Sequence, residues 1–287
     1  MTVVIKVGGA RAVDPAGALA DVASLVDSGE DTVVTHGGST AVDDTLERLG
    51  MEPEYVETPS GVVGRFTDED TIEVFEMVMP GLLNTEMVAG LQSEDVDAVG
   101  LSGVDGKLLY GPRKSAVRVV EDGKRKIRRG DHSGSIKQVN GDLLESLLSD
   151  GYTPVVSPPM AGADEDGVTP VNTDADRSAA AIAGELDGTL VLLTDVPGIL
   201  EDPDDRDTLI REVETPEDWT RMEDAAEGFM GRKVMAIREA LEGGAPEVIV
   251  ADANIDQPVA TAMEGDGTHV YPSALPDDAE TDGGDDE

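Results

Sequence analysis

TVVIKVGG (residues 2–9) reads as an apolar strand that ends in two glycines. DTVVTHGGS (31–39) repeats the same form, and between them residues 14–28 read as an amphipathic helix. Strand, glycine turn, helix and strand again is the unit of a parallel sheet, because a parallel crossover needs a connection long enough to hold a helix. The fold class expected is therefore α/β, with a central, mainly parallel sheet flanked by helices.

The alternation continues down the chain. A helix is expected from about 39 to 50, and helical pattern returns over 68–92, interrupted at Pro80-Gly81. VDAVGLSG (96–103) reads as a buried strand, and 107–130 alternates apolar and basic residues around EDGK, as an exposed hairpin would. A short helix at 140–151 and a strand at 152–158 follow. PPMAGADEDGVTP (158–170) is rich in proline, glycine and acid, which puts the boundary between two lobes there. The N-terminal lobe is then 1–165 and the C-terminal lobe 166–275, the latter with a helix at 174–186, a strand at 188–196, helices near 216–225 and 231–243, and a strand at 247–252. PDDAETDGGDDE (276–287) reads as a disordered acidic tail.

Composition narrows the function classes. Sixty-one acids against 21 bases give a formal net charge of −40, which argues against a general attraction for nucleic acid or anionic membranes. Aromatics at 3% and abundant Ala, Val, Gly and Asp fit a halophilic protein whose hydrated acidic surface keeps it soluble in a salt-rich cytoplasm. There is no cysteine, hence no disulfide, thiolate metal site or thiol nucleophile. No run reaches transmembrane length, and a soluble, cytoplasmic protein is expected.

Several short motifs carry chemistry. Glycine pairs after a strand let backbone N–H groups approach an anion, and the helix that follows adds favourable partial charge. Lys6 just before the first such turn makes a phosphate site there more plausible, although the P-loop pattern G-x-x-x-x-G-K-[ST] is absent. VNTDADRSAAAIA (171–183) sets Asn172, Asp174 and Asp176 at a strand-to-helix junction, where helix capping accounts for one of them. LLTDVPGIL (192–200) ends a buried strand in Asp195, and GFMGRKVMAI (228–237) sets Lys233 at a helix start, against the helix dipole unless a polyanion lies there. Arg65, in GRFTDED (64–70), either clamps a carboxylate or pairs with Asp68 or Glu69. His36 reads as structural, and Ser39 has no base beside it to make a nucleophile.

KVGG, HGGS, GRFTDED, N-x-D-x-D, LLTDVPGIL and G-x-M-x-x-K occur here in the order seen in the amino acid kinase family, which the chain resembles from residue 2 to about 270. The likeness is greatest to the acetylglutamate kinase branch and, within it, to kinases acting on glutamate or 2-aminoadipate carried on the protein LysW. HGGS in place of HGGG, and LSGVDGKLLYGPRKSAV (101–117), point to that carrier-dependent group, and Phe229 departs from the double glycine of the free-substrate enzymes. The resemblance implies a two-lobed amino acid kinase fold with a β-hairpin lid on the N-terminal lobe, a homodimer joined through that lobe, and ATP with Mg²⁺ as cofactors. It implies that Lys6 and Lys233 stabilise the transferring phosphoryl group and that Asp176 holds the lysines. Gly8 and Gly9 would meet the ATP phosphates, with Asp195 beside the nucleotide. Gly37, Gly38 and Arg65 would bind the acceptor, and Asn172 its amide. The product would be an acyl phosphate of arginine or lysine synthesis.

Residues 107–137 hold 10 of the 21 Lys and Arg against three acids. Lys124, Arg125, Lys126, Arg128 and Arg129 concentrate that charge in the hairpin. Two uses are open: docking an acidic carrier protein, or pairing with the protein's own acids or a second subunit.

Overall fold

The computed structural model describes residues 1–8, 15–59, 61, 63–121, 123–165, 167–226 and 229–276. Gly9 and the acidic tail beyond 276 lie outside the described residues.

The first half of the chain supplies β1 (Thr2–Val7), α1 (Pro15–Asp27), β2 (Asp31–His36), α2 (Ser39–Arg48), β3 (Tyr55–Glu57), β4 (Val63–Arg65), α3 (Glu69–Glu76), α4 (Asn84–Ser93), β5 (Ala98–Gly103), β6 (Leu109–Glu121), β7 (Lys124–Gly134), β8 (Gln138–Val139) and α5 (Gly141–Ser149). The second half adds β9 (Thr153–Asp164), β10 (Gly167–Val171), α6 (Ala175–Glu185), β11 (Thr189–Thr194), β12 (Glu212–Val213), α7 (Pro216–Ala225), α8 (Phe229–Gly243), β13 (Val248–Asp252), α9 (Pro258–Met263) and β14 (Thr268–Val270). Among the described residues, one twelve-stranded sheet runs in the order β12-β14-β13-β11-β1-β2-β9-β6-β7, with β5 and β10 also on β9, and β8 on β6. Its centre is parallel, as the sequence predicts: β1 pairs in parallel with both β2 and β11, and β9 with β2 and β5. No helix of the described residues is long and apolar enough to cross a membrane.

β1 shows how this is held. Val3, Val4 and Ile5 have no exposed surface, and full burial of such side chains contributes about 1.5–3 kcal/mol each. Successive residues of a strand point to opposite faces. Val4 accordingly packs with α6 and α8 (Ala179, Ala183, Ala236, Ala240), while Val3, Ile5 and Val7 pack with α1, α4 and α9 (Val22, Leu91, Val259).

Finer features of this frame lie outside what the sequence predicts. The helical run over 68–92 is interrupted around Pro80-Gly81, as the sequence predicts, and the interruption is a π-helical stretch, Met77–Leu83, between α3 and α4. A widened turn accommodates the proline ring and its missing N–H, where an α-turn would clash. In the segment 158–170, where the boundary between the lobes is expected, β9 and β10 form an antiparallel hairpin, register Gly167↔Asp164 to Val171↔Met160. β9 is buried from Thr153 to Gly162, so the sheet runs unbroken through the position assigned to the lobe boundary. The short elements β3, β4, β8, β12, β14 and α9 carry too few residues for periodicity to reveal.

The helices that carry Asp176 and Lys233, α6 and α8, meet at two glycines. A Cβ on Gly184 of α6 would lie 2.9 Å from Gly243 Cα of α8, so these helices approach backbone to backbone. Gly184→Ala forces them apart; overpacking of this kind costs about 1–3 kcal/mol. The melting temperature should fall by about 2–4 °C for each kcal/mol, which a thermal scan of the variant against wild type measures.

Candidate active site

The candidate site lies at the carboxyl ends of the parallel strands, where open α/β sheets bind ligands. β1 ends in Lys6 and Val7 and leads into Gly8, β2 ends in His36 and leads into Gly37 and Gly38, and β11 leads into Asp195. Lys6 shares its face of β1 with Val4, so it points at the start of α6. Its Nζ stands 2.6 Å from Asp176 Oδ1. From α8, Lys233 Nζ donates to Asp176 Oδ2 at 2.9 Å. Lys6 and Asp176 keep only 8% and 12% of their side-chain surface exposed, and Lys233 15%. Burial by itself would push the Asp176 carboxyl up; the two ammonium charges and their hydrogen bonds outweigh it and hold the group far below the usual carboxylate range.

The three polar residues of VNTDAD divide the labour. Asp174 caps α6, accepting from the N–H groups of Asp176 and Arg177 at 2.9 and 3.1 Å, which fixes the first turn. Asp176 holds the lysines. Asn172 lies farther out, where its Nδ2 donates to Thr67 Oγ1 at 3.0 Å. Its backbone runs parallel beside the end of β7: Asn172 N–H donates to the His132 carbonyl at 2.7 Å and Gly134 N–H to the Asn172 carbonyl at 2.9 Å.

His36 is buried, and its Nδ1 lies 3.2 Å from the Gly37 carbonyl, to which it donates in the Nδ1-protonated tautomer. Burial, helped by the charge on Lys6, pushes its pKa down to about 4, so the ring is neutral at pH 7 and its role is to hold the turn. Gly38 has no room for a side chain unless Leu83 and Met79 repack, since a Cβ would lie 2.2 Å from Leu83 Cδ1 and 2.7 Å from Met79 Sδ. Asp195 is exposed at the end of β11, with its Oδ1 accepting from Thr194 Oγ1 at 3.2 Å.

Arg65 comes to the same place from β4. It pairs with Asp43 on α2 and donates through Nη2 to the Ser39 carbonyl at 3.0 Å and the Tyr55 hydroxyl at 3.1 Å. Neither Asp68 nor Glu69 is its partner; Asp68 caps α3, accepting from Thr71 N–H at 2.9 Å. The β3–β4 pair turns Arg65 back over the start of α2, beside Gly37 and Gly38. Asp43 and Tyr55 had no signal in the sequence, because they reach Arg65 only through the fold. Asp131 escaped notice for the same reason: it is buried and accepts from Thr67 N–H at 3.2 Å, and Ser133 Oγ also donates to it.

The hairpin β6–β7 forms as expected, but its five bases do not act alike. On the inner face, Lys126 pairs with Glu121 at 2.7 Å, and Arg128 forks onto both oxygens of Glu54 with its guanidinium 4.2 Å above the Phe66 ring. On the outer face, Arg125 and Arg129 flank Ile127, which is 66% exposed. Lys124 is exposed at the tip.

Replacing Asp176 by Asn tests the centre. Two ammonium groups would lose their shared counter-charge in a buried place, a loss worth about 3–5 kcal/mol. Because the folded carboxyl is held below its unfolded value of about 3.9, wild type keeps this advantage above that pH and loses it as pH falls through the folded value. Denaturation of both proteins from pH 7 to pH 2 should show the gap closing only in the acid range.

Residues 1–252 match the amino acid kinase family. The chain is 42% identical over 275 residues to the LysW-aminoadipate kinase of Thermus thermophilus, covering 93% of this chain and 99% of that protein. It is 43% identical to the LysW-aminoadipate kinase of Deinococcus radiodurans over 269 residues (93% and 91%), and 43% identical to the acetylglutamate kinase of Methanopyrus kandleri over 270 residues (93% and 99%). In fold it is similar to N-acetylglutamate synthase from Neisseria gonorrhoeae, with a TM-score of 0.73 at 24% identity over 96% of this chain and 60% of that one. Giardia carbamate kinase superposes with a TM-score of 0.65 at 15% identity, covering 94% and 98%. With paired lysines on a buried aspartate at the strand ends and a family match over most of its length, this chain belongs to the amino acid kinase family.

Proposed function

We propose that this kinase transfers the γ-phosphoryl group of ATP to the side-chain carboxylate of glutamate or 2-aminoadipate held on an acidic, LysW-type carrier protein, giving an acyl phosphate for arginine or lysine synthesis. The observation that carries the phosphoryl-transfer reading is the Lys6–Asp176–Lys233 cluster. Two ammonium groups against one carboxylate leave one positive charge in a place nearly closed to water, which favours an anion that gathers charge during transfer. The acceptor is a carboxylate, deprotonated at neutral pH, so no general base is needed, and a neutral His36 is consistent with that. Catalysis is then positioning and charge neutralisation.

In this reading Lys6 and Lys233 act on the transferring group and Asp176 aligns them. Gly8 and Gly9 meet the nucleotide phosphates, and Asp195 lies beside the nucleotide. Mg²⁺ would be held largely by phosphate oxygens and would offset their charge. Gly37, Gly38 and Arg65 bind the acceptor's non-reacting carboxylate, and Asn172 its amide. The chain serves as an acceptor half over residues 1–165 and a nucleotide half over 166–275. A homodimer joined through the first half would cover Met77 and Leu82, both exposed. A halophilic, cytoplasmic setting suits the net charge of −40.

The outer hairpin face supports the carrier. Arg125, Ile127 and Arg129 offer an apolar contact between two guanidinium groups that are unpaired among the described residues, complementary to an acidic protein surface. Free N-acetylglutamate is the second reading, favoured by the 43% identity to the Methanopyrus acetylglutamate kinase. ATP consumption with carrier-linked glutamate, carrier-linked 2-aminoadipate and free N-acetylglutamate decides between them; turnover confined to the free amino acid removes the carrier from the reaction.

Lys6→Ala and Lys233→Ala should each lower kcat about 100-fold or more, as loss of one preorganised charge donor does. Wild-type kcat at saturating substrates in either variant excludes that lysine from the mechanism. Arg125→Gln with Arg129→Gln should raise KM for carrier-linked acceptor and leave free acceptor unaffected. Arg128→Gln, which breaks the fork on Glu54, should lower the melting temperature and impair both acceptors alike. Kinetics on both acceptors with a thermal scan of each variant separates docking from self-pairing.

A further inference from the structure

Arg232 immediately precedes Lys233 on α8, and neighbouring residues of a helix point about 100° apart. Lys233 turns to Asp176 while Arg232 reaches the other way, across to the acceptor half. Its Nη2 comes within 3.7 Å of the position a Cβ would take on Gly64, the residue before Arg65. Its charge also acts on Tyr55, the tyrosine whose hydroxyl accepts from Arg65. Arg232 is half-buried and has no hydrogen bond or ion pair among the described residues, in a protein with 61 acids to 21 bases. A half-buried guanidinium with no counter-charge among the described residues favours an anion that arrives later.

Arg65 alone supplies little net charge for that anion. Its guanidinium is neutralised by Asp43, and Nη2 is engaged by Ser39 and Tyr55. A carboxylate coming to Gly37, Gly38 and Arg65 meets a neutral ion pair, while Arg232 beside it carries a positive charge that is uncompensated among the described residues. We propose that Arg232, supplied by the nucleotide half, binds the non-reacting carboxylate of the acceptor alongside Arg65. The acceptor then bridges the two halves, and its affinity depends on α8 standing where it holds Lys233 on Asp176. This rests on the kinase reading above and holds for carrier-linked and free acceptors, since both carry that carboxylate.

The test compares full-length wild type, Arg232→Gln and Arg232→Lys. With carrier-linked glutamate and with N-acetyl-L-glutamate, Arg232→Gln should raise the KM of each acceptor the wild type uses by about tenfold or more, through loss of bidentate recognition. Calorimetric ATP affinity should stay at the wild-type value, and Arg232→Lys should recover only part of the loss, because a point charge replaces a planar fork. The melting temperature of Arg232→Gln should match wild type, as no protein partner among the described residues is lost. An active Arg232→Gln with unchanged acceptor KM overturns the proposal, as does a loss of ATP affinity equal to the loss for acceptor. Wild type that consumes no ATP with any of these acceptors refutes the kinase reading itself, and the inference falls with it.

Discussion

Asp176 stands between Lys6 and Lys233 with almost no access to solvent, and taking such charges out of water costs several kcal/mol per ion unless the geometry is good. Much of the fold serves that geometry. Lys6 must leave β1 on the face shared with Val4, at the strand's carboxyl end, to reach the first turn of α6. The turn must be capped by Asp174 so that Asp176 points inward. α8 must lie close enough for Lys233 to share the carboxylate, which the Gly184–Gly243 approach permits. Hydrophobic residues of similar volume would hold this place more cheaply, so retention of two cations and one anion there is better explained by chemistry than by stability.

What could be read in the sequence follows from the range of the forces involved. The strands and helices around the centre were legible because buried parallel strands and Ala-rich helices leave local periodic patterns. Lys6, Asp176 and Lys233 were legible through their motifs, and they come together in the structure. The partners of Arg65 and Arg128 were not, since Asp43 lies 22 residues and Glu54 74 residues away and only the fold makes them neighbours. Among 61 acids, proximity in sequence is a poor guide to pairing, which is why Asp68 and Glu69 were plausible partners and wrong ones. Pro80 and the segment 158–170 hold residues that usually punctuate a chain, and a π turn and a paired hairpin take them up here.

The hairpin also shows how charge is made to work in a strongly acidic protein. At about 1 M salt the screening length would be only ~3 Å, and charges would then act through contact. Arg128 stacks on Phe66 and forks onto Glu54, a contact that needs no long-range field. The outer arginines keep their donors free among the described residues, with Ile127 between them to supply an attraction that salt does not screen.

The pairing of β1 has a cost in time. Its partner on one edge, β2, begins as early as Asp31, but register on the other edge joins Val3 to Thr189. At ~5–20 residues per second, roughly 10–40 s pass on the ribosome between synthesis of the two strands. Throughout that interval TVVIKV holds an open row of backbone donors and acceptors, the usual template for pairing with another chain. A charged side chain within such a strand discourages that pairing, and the one charge in this strand is Lys6. The charge that such pairing would have to accommodate is therefore the same lysine that reaches Asp176 in the finished protein.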